Sequence, residues 1–280
     1  MQASSTSEVA VAIGGGRGFI GAHVERALRA SGTESLSFGR EGFGGRAQTL
    51  IWCAGGRGDA AELEAAHVDQ PFRHIESARP GCVIYLSSAA VYGQAPVPFV
   101  ESGELVPTDG YGQAKWRGEQ AVRAAALRIG ARVFILRPAV VYGPGQRPGM
   151  LLPSALASLS KGEPFDTTEG SQTRDFLEVS DLVRLVLRCR EPDAPPGVYN
   201  AGRGDEVSVR AALQALAHAV GPEARELLRF GARPMRPGEP MRYVLATEKA
   251  HLELGWQAEV SLEAGMRRLV AATGDAVPAS

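Results

Sequence analysis

The apolar run Val9–Ile13 feeds directly into Gly14-Gly15-Gly16-Arg17-Gly18-Phe19-Ile20-Gly21. No other feature narrows the choice of fold so far. Val9–Ile13 has the length and content of a strand buried on both faces. Ile20, Val24 and Leu28 then recur at i, i+4 and i+8, the period of an amphipathic helix, and Gly32 is its stop. Two glycine spacings overlap in the turn: Gly15, Gly18, Gly21 and Gly16, Gly18, Gly21. Such glycines permit a tight strand-to-helix turn, close backbone approach to a pyrophosphate, and tight helix packing. The helix start adds free N–H groups and a positive dipole end. Surface loops can be glycine-rich as well. Here a strand precedes and a helix follows, which is the context that dinucleotide binding requires.

The same alternation continues. Ser35–Phe38, Thr49–Cys53, Cys82–Leu86 and Val133–Leu136 read as further strands, and helices begin near Ala60, Gln113, Met150 and Asp181. Short apolar runs alternating with helices imply βαβ units and a parallel sheet. The expected fold class is therefore α/β, a Rossmann-type doubly wound parallel sheet. Pro192, Pro195, Pro196 and Gly197 interrupt the pattern. Beyond them Ser208 can cap a helix through Val220, Arg233–Pro240 is irregular, and Ser261 can cap a final helix. We expect a dinucleotide-binding domain over residues 1–150. A smaller mixed α/β substrate lobe over 151–280 would interleave with it. A chain of 280 residues suits that division.

Composition excludes several classes. The chain is 44% apolar and 22% charged, with a formal net charge of −1. No bulk field points to nucleic acid or an anionic membrane, although a few local arginines can still hold a small anion. The three cysteines show no CxxC or Cys/His spacing, so no metal site is expected. Cys53 and Cys82 sit in apolar runs and read as buried hydrophobes, which fits a reducing cytoplasm. Val9–Ile13 is too short for a signal segment or a membrane span.

Chemistry concentrates after the fourth strand. Cys82–Leu86 leads into Ser87-Ser88-Ala89-Ala90-Val91-Tyr92-Gly93, and Tyr111-Gly112-Gln113-Ala114-Lys115 follows. Tyr111 and Lys115, at i and i+4, share one helix face. A free tyrosine ionises near ~10. A neighbouring ammonium and a cationic nicotinamide both favour the phenolate, so Tyr111 can exchange a proton nearer neutrality. Ser88 ends a parallel strand, where such sheets bind ligands, and can hydrogen-bond a reacting oxygen.

An acidic residue is expected at the end of the second strand to hold the adenosine ribose. Gly39 stands there instead, followed by Arg40, and Arg17 lies inside the glycine turn. Two guanidinium groups near the 2′ position favour NADP(H) over NAD(H). Two solvated arginines are the plainer alternative. Glu41 could also reach the ribose, which leaves NAD(H) open.

With these motifs on one chain, the sequence resembles the extended short-chain dehydrogenase/reductase family, also called the NAD-dependent epimerase/dehydratase family. The resemblance extends through Leu136-Arg137-Pro138, Val141-Tyr142-Gly143-Pro144-Gly145, Thr173-Arg174-Asp175-Phe176 with Asp181, Val198-Tyr199-Asn200, Arg236-Pro237-Gly238-Glu239 and Leu254-Gly255-Trp256. It implies Ser88, Tyr111 and Lys115 as catalytic residues. It also implies a cofactor site of Gly15, Arg17, Gly18, Phe19, Ile20, Gly21, Arg40, Ala54 and Pro138, shared with Tyr111 and Lys115. Most such members act on nucleoside-diphosphate sugars. The resemblance gives Arg174 and Arg236 to the diphosphate and Glu239 to the nucleoside ribose, with Ser88 at the sugar. Forked donors suit a diphosphate and an acceptor suits a diol. A structural pair with Asp175 or Asp181 is the alternative for Arg174.

The chain also departs from the family. Only ten residues separate Arg40 from Ile51, where the family places another helix and strand contacting adenine. His67 stands where the family has Asn, and Val140 where many epimerases have Asn. Ala89 and Ala90 replace the acid/base pair that a 4,6-dehydratase needs. The expected function is an NADPH-dependent keto-sugar nucleotide reductase. The alternatives are an NAD-retaining 4-epimerase and a non-catalytic dinucleotide sensor. The resemblance further implies a homodimer that pairs two helices per subunit, one of them carrying Tyr111 and Lys115.

Overall fold

The computed structural model describes residues 8–39, 42–56 and 58–274. Element order is β1 (Glu8–Gly14), α1 (Phe19–Ala30), β2 (Ser35–Phe38), β3 (Arg46–Trp52), α2 (Ala60–Glu64), a π-helical turn (Ala65–Asp69), α3 (Gln70–Ala78), β4 (Cys82–Leu86), a 3₁₀ turn (Ala89–Val91), α4 (Gly110–Ile129), β5 (Arg132–Pro138) and β6 (Val140–Tyr142). The rest is α5 (Leu151–Leu159), β7 (Phe165–Thr167), β8 (Thr173–Arg174), β9 (Phe176–Glu178), α6 (Val179–Arg190), β10 (Gly197–Ala201), β11 (Val207–Ser208), α7 (Val209–Val220), a 3₁₀ turn (Pro222–Arg225), β12 (Leu228–Phe230), α8 (Glu248–Leu254) and α9 (Leu262–Gly274).

Six strands form one parallel sheet in the order β10-β5-β4-β3-β1-β2. Side chains alternate between its faces. Val11, Ile13, Ile51 and Ile84 join Val24 and Leu28 of α1 and Leu182 of α6 on one side. Ala12, Leu50, Trp52, Val83 and Tyr85 join Ile75 of α3 and Val122 of α4 on the other. A separate core of Leu152, Leu156, Leu213, Leu216 and Met266 holds α5, α7 and α9 together. Helices cover both faces of the sheet, so the central strand β4 is apolar and buried at every position rather than alternating with polar residues.

The five strands read from the sequence are present, and a sixth was concealed. Pro195-Pro196-Gly197 reads as a break, yet Gly197–Ala201 pairs with β5 and completes the sheet from the C-terminal third. Two helices start earlier than expected because of their caps. The Asp109 side chain accepts the Gly112 N–H at 2.7 Å, which starts α4 at Gly110 rather than near Gln113. Glu178 accepts the Ser180 N–H at 2.7 Å, which starts α6 at Val179 rather than near Asp181. Ser208 and Ser261 do accept the Ala211 and Ala264 N–H groups at the heads of α7 and α9. β2 forms the edge of the sheet. The described residues between β2 and β3 carry no helix or strand, where a longer crossover would add another strand.

Candidate functional site

The glycine turn is shaped by close contacts. Gly15 has φ +79°, and a Cβ on it would lie 2.6 Å from the Ala54 backbone. A Cβ on Gly16 would lie 2.0 Å from Ser37 Oγ, and one on Gly21 would lie 2.3 Å from the Gly15 carbonyl oxygen. The backbone closes the turn through Gly15 N–H to Phe38 O and Gly18 N–H to Gly15 O, both 2.9 Å. No side chain caps α1, so its first amides are left for something else. Gly18, Phe19 and Ile20 at that helix start line a cleft of about 1630 Å³.

Ser88, Tyr111, Lys115 and Pro138 line the same cleft, as do Arg174, Arg236 and Glu239. Arg17 is exposed at its rim. Arg40 and Glu41 lie outside the described residues. Gly15 and Gly21 of the turn do not line the cleft, and neither does Ala54. It packs beneath Gly15, while Cys53, Gly55 and Gly56 line the cleft at that strand end. Cys53 is therefore only partly buried, unlike Cys82 and Cys189. Burial and the neighbouring Lys115 act on its thiol in opposite directions; burial dominates and raises it to about 12.

Ser88 has extended backbone and caps the 3₁₀ turn, its hydroxyl accepting the Ala90 N–H at 3.1 Å. The hydroxyl proton stays available to a ligand. Lys115 is almost fully buried. Its ammonium donates to the Leu86 carbonyl at 2.6 Å and lies 5.9 Å from the centroid of the Tyr111 ring. Burial lowers its pKa to about 7, against the opposing influence of Cys53 and Glu119. Strand end and helix start thus bring Ser88, Tyr111 and Lys115 into one cleft.

The π-helical turn forms a wall behind Tyr111. The indole N–H of Trp52 donates to the Ala66 carbonyl at 3.1 Å, and the Tyr85 hydroxyl donates to the His67 carbonyl at 3.0 Å. Sheet side chains thereby take up carbonyls that a regular helix would use itself. Gly118 lets α4 lie close, since a Cβ there would be 2.3 Å from the His67 carbonyl oxygen. The His67 ring stands edge-on to Tyr111 at 5.4 Å, and its Nε2 accepts the Gly56 N–H at 3.4 Å. His67 Nδ1 is buried without a partner. Burial, together with Lys115, lowers the His67 pKa to about 3, so the imidazole stays neutral.

At the other end of the cleft the Arg174 guanidinium pairs with the Glu239 carboxylate and donates to the Pro240 carbonyl at 2.9 Å. Neither Asp175 nor Asp181 is its partner. Asp175 accepts the Arg203 and Gly204 N–H groups, and Asp181 pairs with Arg184. Arg236 is exposed and, among the described residues, carries no ion pair. Sequence reasoning missed Tyr243. Its ring meets Phe99 edge-on at 5.0 Å beneath the Arg174 guanidinium, and it lines the cleft near Tyr111. It also missed a buried cluster of Ser87, Glu119, Arg137 and Tyr92. The signal for Glu119 was its place four residues after Lys115 on the same face of α4. Among the described residues, no helix is long and apolar enough to cross a membrane.

Comparison with known proteins places this architecture. The family model described as "NAD dependent epimerase/dehydratase family" matches residues 61–202. The Escherichia coli dTDP-4-dehydro-6-deoxyglucose reductase is 27% identical over 68% of this chain and 61% of its own length. The Azospirillum brasilense UDP-glucose 4-epimerase is 34% identical over 62% of this chain and 55% of its own length. The matches thus span less than two thirds of these relatives. The structure of MoeE5 in complex with UDP-glucuronic acid and NAD is similar with a TM-score of 0.83 and 27% identity, over 96% of this chain and 100% of that one. The six-stranded parallel sheet, the glycine turn and the family match agree: this chain belongs to the NAD-dependent epimerase/dehydratase family.

Proposed function

We propose that the chain reduces a keto-sugar carried on a nucleoside diphosphate, typically a 4-keto-6-deoxyhexose, using NADPH. The observation that carries this reading is one shared cleft. It has Ser88 at a strand end, Tyr111 and Lys115 at the start of α4, and Arg174, Arg236 and Glu239 further out. The uncapped start of α1 and the close-packed glycine turn fit a dinucleotide pyrophosphate. When bound, the reduced nicotinamide supplies a hydride to a keto carbon.

The protein's own groups do the rest. Ser88 donates a hydrogen bond from its hydroxyl to the ketone oxygen and orients it, keeping its own proton. Tyr111 gives its proton to the alkoxide that develops there. Lys115 stabilises the resulting phenolate as an ammonium beside the ring and can reach a ribose hydroxyl. Arg174 and Arg236 grip the diphosphate, and Glu239 accepts from the nucleoside ribose. Ala89 and Ala90 offer no carboxyl to protonate a C6 leaving group, which argues against dehydration. Arg17 at the cleft rim supports NADPH.

The similarity to a UDP-glucose 4-epimerase favours a second reading, in which NAD is retained and hydride returns to the opposite face. The same three residues serve both. Incubation with dTDP- and GDP-4-keto-6-deoxyhexoses, followed by nicotinamide absorbance, separates them. NADPH consumption supports reduction. Tightly bound NAD, with interconversion of UDP-sugars and no added cofactor, supports epimerisation. If neither occurs and Tyr111→Phe binds dinucleotide like the wild type, a non-catalytic dinucleotide sensor is the better description. Under either catalytic reading α4 also pairs two subunits; its exposed Trp116 and Leu127 suit that role.

A further inference from the structure

Three consecutive residues at the end of β4 each engage a different partner. The Leu86 carbonyl accepts from Lys115 at 2.6 Å. The Ser87 hydroxyl donates to Glu119 at 2.6 Å. Ser88 caps the 3₁₀ turn and faces the cleft. Lys115 and Glu119 are one turn apart on α4, so strand and helix are joined at two successive rungs.

Glu119 is itself fixed from the other side. Arg137 of β5 donates to both its oxygens, at 2.9 and 2.7 Å, and both side chains are about 4% exposed. Arg137 also donates to Tyr92 Oη at 3.0 Å, and Tyr92 donates to Asn200 Oδ1 at 2.7 Å. Asn200 Nδ2 in turn donates to the Phe99 and Ala246 carbonyls. Glu119 therefore lies at the catalytic end of a buried polar chain that runs to β10 and the segment carrying Tyr243. A bidentate guanidinium–carboxylate pair allows little freedom of orientation. Burying such a pair is seldom a net gain in stability, so a role in specifying geometry is the better explanation.

We propose that Glu119, pinned by Ser87 and Arg137, is a positioning residue. It holds α4 in register with the end of β4 so that Tyr111 and Lys115 meet Ser88, and it supplies the negative charge that favours the ammonium form of Lys115 where burial opposes it. The groups facing Lys115 leave Glu119 as the source of that charge. Cys53, just past the end of β3, is a protonated thiol. His67 of the π-turn is neutral, Tyr85 of β4 is held as a phenol, and Tyr111 is the group being tuned. Arg137 of β5 is a cation, but it is spent on Glu119. The positioning of Tyr111 for turnover rests on the proposed reductase or epimerase reading; the charge on Lys115 does not.

The test separates the two. Lysine labelled with ¹³C at Cε reports the protonation of Nζ in the intact chain, whose lysines are Lys115, Lys161 and Lys249. Glu119→Gln removes the anion and leaves Arg137 unpaired nearby. The Lys115 midpoint should fall by about one pH unit or more, while those of Lys161 and Lys249 stay in place. An unchanged Lys115 midpoint overturns the electrostatic half. If Glu119→Gln does not fold, Arg137→Gln gives the opposite sign: the freed carboxylate should raise the midpoint, and no rise overturns it. Ser87→Ala keeps every charge and removes the pin. With an active preparation it should lower kcat about tenfold at little change in KM, as a small misplacement of reacting groups does. Wild-type kcat in Ser87→Ala overturns the register half. A wild-type protein with no turnover would defeat the proposed function instead and leave the titration result standing.

Discussion

Arg174 and Glu239 lie 65 residues apart in the chain and close on each other as an ion pair at the outer end of the cleft. A diphosphate arriving there competes with a carboxylate already seated on the guanidinium. Glu239→Gln should bind inorganic pyrophosphate more tightly than the wild type, by a few-fold, because the competitor is gone. The same variant should bind UDP no better than the wild type, since the ribose acceptor is weakened. Arg174→Ala should weaken both, UDP by about tenfold or more. Calorimetric titration of the four protein–ligand pairs that involve the variants, against wild type, checks all of this. Equal gains for pyrophosphate and UDP in Glu239→Gln would remove Glu239 from the ribose.

Gly16 and Ser37 define a second test. Gly16→Ala puts a methyl group 2.0 Å from Ser37 Oγ, an atom buried without a hydrogen-bond partner. Overpacking of this kind costs about 1–3 kcal/mol. The double variant Gly16→Ala/Ser37→Gly should recover most of that loss in chemical denaturation. Gly15→Ala should not be recoverable in the same way. Its methyl would meet Ala54 backbone, and its φ of +79° is unfavourable to any side chain.

His67 predicts a pH dependence of stability. Its folded pKa is lowered to about 3 from an ordinary 6.5. Between those values only the unfolded chain takes up the proton. Stability is therefore lost as pH falls below about 6.5, by roughly 1.4 kcal/mol per unit at most. His67→Asn lacks this contribution. Denaturation midpoints measured from pH 6.5 down to 4.5 should fall less steeply for the variant. Parallel curves would mean that the folded protein protonates His67 readily.

Arg17 bears on cofactor choice. Arg17→Ala should weaken NADPH about tenfold and leave NADH within about twofold, the loss expected when a guanidinium no longer meets a phosphate. Fluorescence titration with the two reduced cofactors decides it. Equal weakening would assign Arg17 to the pyrophosphate, which both cofactors share.

Much of this architecture was legible beforehand because it depends on local chemistry. The glycine turn is written in eight consecutive residues, between the apolar run Val9–Ile13 and the helical period of Ile20, Val24 and Leu28. Ser88, Tyr111 and Lys115 follow from a strand end and one helical turn. β10 was hidden because Pro195, Pro196 and Gly197 signal a break, and pairing with β5 is a tertiary event. The partner of Arg174 was missed for the same reason. Asp175 and Asp181 are near in sequence, while Glu239 is near only in space. Tyr243 lies beyond the irregular Arg233–Pro240 segment, and no periodicity there announces a half-buried ring. Ala54 shows the opposite case, a residue placed correctly at a strand end whose side chain faces the turn and not the cleft.

The short connection between β2 and β3 has a consequence for how the molecule meets its neighbours. Among the described residues no further strand lies outside β2, whose outer row of amides and carbonyls has no ladder partner there, with Leu36 exposed beside it. Such a rim is a template on which another chain can add itself. Here it is only four residues long, Ser35–Phe38, with glycine at its far end in Gly39. A template that short offers too few hydrogen bonds to hold a foreign strand. Losing a whole crossover thus does not expose the sheet to runaway stacking, and brevity does the work that a capping strand does elsewhere.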